Sequence, residues 1–222
     1  MFDLYAAPGS GNCFKPFLAL RQLRIPVTLR MVDVLAGETK SPEFLAINPV
    51  GVVPYLRAPG GLGLSESNAM LWYIAEGSSL MPSEAFARAK GLQWSFFEQS
   101  RLEPFISPAR FLTFIAPERG SGRERDIAQW QSRAHEGLAI LDAYLQSHDF
   151  IAGAHYSIAD ISVFGYVHVA PQGGIDLDAF QAVRSWIERV RATPDFATID
   201  EMTSLLRGTR ACEGTGSGAK VA

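Results

Sequence analysis

The repeat of apolar residues changes at residues 77–82, a Gly/Ser/Pro stretch, and its two sides do not fit one architecture. On the N-terminal side, short apolar runs alternate with helical stripes. Residues 2–6 pattern as a strand. Gly9-Ser10-Gly11-Asn12 is a turn of helix-start residues, and Phe14, Phe17, Leu18, Leu20 and Leu23 continue it as a helical face. Ile25-Pro26 ends that helix, because proline drives its predecessor out of the helical region. Residues 27–34 form a second strand, and a strand–helix–strand unit of this length predicts a parallel pair. Ser41-Pro42 opens a short helix with Ser as cap and Pro at its first position. Residues 52–56 and 62–64, joined by Pro59-Gly60-Gly61, read as a hairpin, and the cap-rich 65–68 opens a helix through Ala75.

Beyond residue 82 the strand pattern is lost. Helical spacing predicts helices over about residues 85–115, 123–147, 157–170, 177–192 and 195–206, with Pro104 and Pro108 bending or breaking the first. Residues 208–222 are rich in Gly, Ser and Thr. The expected organisation is an α/β domain over 1–77, an all-helical domain over 84–206 and a disordered tail over 207–222. A chain of 222 residues is long enough for two such cores. With 47% hydrophobic and 19% charged residues, global disorder is excluded. The net charge of −3, balanced along the chain, argues against a nucleic-acid partner. Two cysteines, Cys13 and Cys212, give neither a disulfide framework nor zinc spacing. No basic segment precedes an apolar run at the N-terminus, and no apolar run approaches the ~20 residues of a membrane span. The expectation is a cytoplasmic protein without a membrane partner.

Several motifs carry chemistry, each with a plainer alternative. Pro54 interrupts a strand pattern: it marks either an edge strand or a cis proline that opens the backbone of Val53 to an extended peptide. Ser10, Gly11 and Asn12 either cap a helix or present its N-terminal donors to an anion. The Ser10 hydroxyl is no strong base, but it can donate to a thiolate and lower a thiol's pKa. Cys13, in the first helical turn, is either a thiol activated by the helix dipole or a small buried hydrophobe, and no second Cys stands at C-x-x-C spacing. Glu66-Ser67-Asn68 is either a capping-box variant or a cradle for a carboxylate. His135, His148, His155 and His168 show no i, i+4 pair, so no metal site is expected. Ser157 and Asp160 make a capping box of structural character. The aromatic residues Trp94, Phe96, Phe97, Phe105, Phe111 and Phe114 read mainly as core, some lining an apolar cleft between domains. Pro8, Phe105 and Phe111 are the candidates for a second-substrate pocket.

In order and spacing, a set of segments resembles the cytosolic glutathione transferases over about residues 1–205. They are Leu4-Tyr5-Ala6-Ala7-Pro8-Gly9-Ser10-Gly11-Asn12-Cys13, Pro42-Glu43-Phe44-Leu45-Ala46-Ile47-Asn48-Pro49, Val53-Pro54, Glu66-Ser67-Asn68-Ala69, Phe150-Ile151-Ala152-Gly153 and Ser157-Ile158-Ala159-Asp160. The serine-type bacterial and theta- or delta-like members are the most similar. The resemblance implies an α/β thioredoxin-like N-terminal domain, an all-α C-terminal domain, glutathione as co-substrate without a metal, and a homodimer. It implies Ser10 as donor to the glutathione sulfur with Asn12 as helper. It also implies Val53 with a cis Pro54 for the cysteinyl unit, Glu66 and Ser67 for the γ-glutamyl end, and a structural Cys13. Many relatives hold the glycyl end with a basic residue where this chain has Val52, and Lys40 is the candidate to replace it. Similar bacterial members carry Tyr and His where this chain has Ser100 and Leu102.

The function expected from this resemblance is activation of the glutathione thiol for attack on a hydrophobic electrophile. A glutathione-dependent disulfide or peroxide reductase would use the same residues. A non-catalytic binding or assembly module is the reading that Val52 favours, and a thiol transferase centred on Cys13 is a further alternative.

Overall fold

A parallel strand pair seeds the first of two units. β1 (Phe2–Ala6) lies beside β2 (Val27–Met31) with Leu4 opposite Leu29, and α1 (Gly11–Gln22) makes the crossover. β3 (Tyr55–Arg57) runs antiparallel along the other edge of β1, followed by the short β4 (Gly63–Leu64). The computed structural model describes residues 1–213 and the short β5 (Lys220–Val221), which pairs antiparallel with β2 and completes the order β4-β3-β1-β2-β5. The described chain groups into one unit of residues 1–78 with Pro194 onward, and a second of residues 79–193.

Side chains alternate across the sheet. Leu4, Ala6, Leu29 and Leu56 are buried toward α1 and α3 (Ser67–Ala75), which supply Phe14, Phe17, Leu18, Met70 and Leu71. Each buried leucine contributes about 1.5–3 kcal/mol. Tyr5, Val32 and Tyr55 pack on the opposite side with Phe44 and Ile47 of α2 (Pro42–Ile47). Ser41 caps α2 through Phe44 N–H at 3.1 Å, with Pro42 at the first position, as the sequence suggests.

The second unit is helical. The helix expected over 85–115 is divided into α4 (Ala85–Phe97), a π-helical turn (Glu98–Leu102), α5 (Glu103–Arg110) and a second π-helical turn (Phe111–Ile115). Pro104 falls in the first turn of α5, where a missing N–H costs nothing, so the path is interrupted by widened turns rather than ended. α6 (Glu124–Leu145), α7 (Ile158–Val167) and α8 (Gln181–Arg191) complete the unit. All ten residues of α7 are buried, so its start must be fixed by hydrogen bonds rather than by amphipathicity. Asp160 does this. Its carboxylate accepts from Ile151 N–H (2.9 Å), Ser157 N–H (3.0 Å) and Trp186 Nε1–H (2.9 Å). Burial pushes its pKa up to about 6, against the pull of these donors.

The C-terminal helix departs from the expected organisation. α9 (Ile199–Glu213) groups with the first unit, whereas the sequence pattern joins residues 195–206 to the helical domain. Met202 and Leu206 are fully buried, and α9 packs on β2 and α1. Ion pairs Arg21–Glu201 (3.3 Å), Arg24–Asp195 (2.9 Å), Arg210–Asp33 (3.2 Å) and Arg210–Glu38 (2.7 Å) fasten this segment. Helical spacing reveals an apolar face but not the surface it covers. Residues 207–213 of the expected tail continue α9, while 214–219 and 222 lie outside the described residues. Among the described residues, no helix is long and apolar enough to cross a membrane.

Candidate functional site

Two helix N-termini meet in the first unit. Ala7-Pro8-Gly9-Ser10 leads from β1 into α1 as a turn closed by Ser10 N–H to Ala7 O at 3.3 Å. Pro8 at its second position and Gly9 at its third, with φ +72°, give the type II form. Ser10 is the N-cap of α1, and its Oγ accepts from Cys13 N–H at 3.2 Å. The same hydroxyl lies within hydrogen-bonding reach of the Cys13 thiol, and its proton is the one this cap can offer to an anion at the head of α1. Asn12, in the first turn of α1, accepts at Oδ1 from the Ser67 hydroxyl at 3.1 Å, which ties α1 to the start of α3.

Cys13 is not an available nucleophile. It is completely buried, its Sγ accepts from Ala7 N–H at 3.4 Å, and burial pushes its thiol up to about 11. Of the two sequence-level readings, the structure supports the buried hydrophobe.

In the loop between α2 and β3, the Val53–Pro54 bond is cis. Among the described residues, the Val53 N–H and C=O pair with no protein group. The loop before it is held by Asn48, which is fully buried. Its Nδ2 donates to Val52 O at 2.7 Å, and its Oδ1 accepts from Ser65 Oγ at 3.0 Å and from Val50 N–H at 3.3 Å. Sequence reasoning gave Asn48 no role. The signal was the Asn-Pro-x-Gly run, a turn-forming pattern in which the Asn side chain bonds the backbone two residues on. Lys40 reaches the same loop and donates from Nζ to Gly51 O at 2.7 Å, next to Val52. Gly51 has φ +66°, a conformation that side-chain-bearing residues rarely adopt, so this point of the loop requires glycine.

Glu66 has φ +71°, in the region that side-chain-bearing residues rarely adopt. Although it is the N-cap residue of α3, its side chain makes no capping bond. The capping-box alternative therefore fails. The acidic side chain is exposed at the head of α3 beside the buried Ser67.

Ser10, Asn12, Lys40, Val53, Pro54, Glu66 and Ser67 thus share the first unit: Lys40 after β2, Val53 and Pro54 just before β3, and the others at the heads of α1 and α3. Pro8 lies in the turn before Ser10. Phe105 and Phe111 belong to the second unit and are half-buried in α5 and the π-helical turn after it. Among the described residues, no group of three or more His, Cys, Asp or Glu could hold a metal ion. Chemically, this unit offers helix N-termini, an unpaired stretch of loop backbone before β3, a carboxylate and a cation, which suits a small zwitterionic peptide.

Fold and corner together define a thioredoxin-like domain with a helical partner unit. Residues 4–80 match the model of the glutathione S-transferase N-terminal domain, and residues 124–189 that of its C-terminal domain. Disulfide-bond oxidoreductase YfcG of Escherichia coli is 34% identical over 87% of this chain and 92% of its own. A possible glutathione S-transferase from Rhodopseudomonas palustris superposes with a TM-score of 0.88 at 42% identity, over 90% of each chain. A glutathione transferase family member from Pseudomonas fluorescens, solved with two glutathione bound, has a TM-score of 0.75 at 28% identity, over 87% of this chain and 89% of that one. The chain belongs to the glutathione S-transferase family.

Proposed function

We propose that this protein is a glutathione-dependent enzyme in which Ser10 holds the bound tripeptide as a thiolate. The observation that carries the reading is the Ser10 N-cap, whose hydroxyl stands at the head of α1, together with the unpaired Val53 backbone of the same unit. Val53 pairs with the cysteinyl unit, which brings the sulfur to Ser10. Asn12, locked by Ser67, is a second polar group beside the sulfur. Glu66 accepts the γ-glutamyl ammonium, and the backbone amides at the head of α3, that of Ser67 among them, take its carboxylate. The strained Glu66 backbone supports this assignment. Lys40 supplies the cation for the glycyl carboxylate in place of Val52, supported by its bond to Gly51 O. Moving a thiol from about 8.5 to about 6.5 takes ~2.7 kcal/mol, within reach of one charge-assisted hydrogen bond and the helix dipole.

Bound glutathione supplies the nucleophile, and its sulfur adds to or substitutes an electrophile of hydrophobic character. The same thiolate suits a second reaction. Attack on a disulfide forms a glutathione mixed disulfide and releases one thiolate; a second glutathione then releases the other and leaves glutathione disulfide. The similarity to an oxidoreductase acting on disulfide bonds and to a family member holding two glutathione favours this second reading. Assaying a haloarene and a mixed disulfide side by side separates the two. In either reaction, measured at pH ~6.5, Ser10→Ala lowers kcat roughly tenfold or more with less than threefold change in glutathione affinity. Unchanged kcat in the variant would remove Ser10 from the mechanism.

A second copy of the chain is the proposed partner. α4 turns Gly91, Trp94 and Ser95 inward while Phe86 (78% exposed), Leu92 and Phe96 (71% exposed) face outward. Three large apolar side chains left exposed on one helix make a surface suited to being covered.

A further inference from the structure

We propose that Thr203 of α9 is a positioning residue for Ser10, acting through the Pro8–Gly9 peptide. The inference rests on the role given to Ser10 above. Gly9 N–H donates to Thr203 Oγ1 at 3.0 Å, and the same hydroxyl donates to Ile199 O at 2.8 Å inside α9. With its proton committed to the helix, Thr203 can serve Gly9 only as an acceptor.

The location of this bond gives it leverage. Type I and type II turns differ chiefly by a flip of the central peptide, here Pro8–Gly9, and the N–H of that peptide is the one Thr203 holds. Pro8 suits either form and Gly9 tolerates either sign of φ, so the local sequence alone leaves the peptide free to turn over. Ser10 follows immediately. Its φ and ψ of −77° and 120° and the aim of its hydroxyl are set by the turn on one side and by the Cys13 N–H on the other. The Thr203 acceptor therefore selects the one turn that delivers the Ser10 proton to a fixed point. α9 is itself anchored beyond this contact by Arg210 to Asp33 and Glu38, so Thr203 sits on an element fixed at its far end.

Thr203→Val keeps the shape and deletes the acceptor, and Thr203→Ser restores it. Three readouts distinguish a positioning role from a merely structural one. In the free protein, amide exchange at Gly9 accelerates in Thr203→Val and returns in Thr203→Ser. With glutathione bound, the thiol pKa rises in Thr203→Val by about half a unit, and kcat falls roughly two- to threefold while KM for glutathione moves less than twofold. In the Ser10→Ala background, Thr203→Val has no further effect on kcat, because the path to the sulfur is already cut. A thermal melt and circular dichroism spectrum matching wild type show that Thr203→Val folds; if it does not, Thr203→Ala serves for the same comparison. Wild-type thiol pKa and kcat in Thr203→Val, with Ser10→Ala impaired, would overturn the Thr203 proposal alone. Wild-type kcat in Ser10→Ala would overturn the reading beneath it.

Discussion

Lys40 and Val52 show how a site can be re-sourced one residue at a time. Val52 carries no charge, and the carbonyl of Gly51 beside it receives the Lys40 ammonium from a different loop. If that ammonium serves the glycyl carboxylate, Lys40→Ala weakens glutathione binding about tenfold, the worth of one charge-assisted hydrogen bond. Binding of γ-glutamylcysteine, which lacks the glycyl residue, stays within twofold of wild type. Calorimetric titration of both peptides checks this, and an equal loss for the two would place Lys40's effect elsewhere. At this scale much was legible in advance. Ser10, Asn12, Glu66 and Ser67 stand at helix starts that the sequence marks by composition. Asn48 and Thr203 were not legible as functional, because their importance lies in which backbone group each side chain meets. In Thr203 that partner is nearly two hundred residues away.

At the scale of elements, the sequence marks where helices begin better than where they pack. The capping box of α7 was readable from Ser157-x-x-Asp160, but the Trp186 indole that completes it comes from α8. α7 also ends in a buried titratable group. His168 stacks on Phe164 with ring centroids 4.3 Å apart, and burial depresses its pKa to about 3. An unfolded histidine takes up a proton near pH 6.5 while the native one does not. His168 therefore contributes stability that is complete above about pH 6.5 and is lost as pH falls toward 3. Asp160, raised to about 6, has the opposite sign between about pH 4 and 6, where the native state holds the extra proton. Comparing His168→Gln with wild type cancels the Asp160 contribution. The difference between their unfolding free energies should change by up to about 1.4 kcal/mol per pH unit between pH 6.5 and 4. Denaturant unfolding at several pH values measures it, and parallel curves would refute the assignment.

For the whole molecule, the change of periodicity at residues 77–82 announced two units of different architecture. It could not announce that the chain returns to the first unit, because α9 has the same helical spacing wherever it docks. What recruits it is the pattern of partners on the first unit, Arg21, Arg24, Asp33 and Glu38, and the apolar Met202 and Leu206 between them. The exposed apolar face of α4 carries a prediction about assembly. Burying each of Phe86 and Phe96 is worth about 1.5–3 kcal/mol. Phe96→Glu should raise the dimer dissociation constant about ten- to hundredfold, read by analytical ultracentrifugation across a dilution series. A wild-type protein that sediments as a monomer throughout would leave that face without the second copy assigned to it.

The central claim is that this chain binds glutathione as a thiolate held by Ser10, and its most direct test is a pH titration of bound glutathione followed by thiolate absorbance. The account predicts that the thiol ionises near pH ~6.5 on the wild-type protein and returns toward ~8.5 on Ser10→Ala. A bound thiol that titrates on the wild-type protein as it does free in water would contradict it.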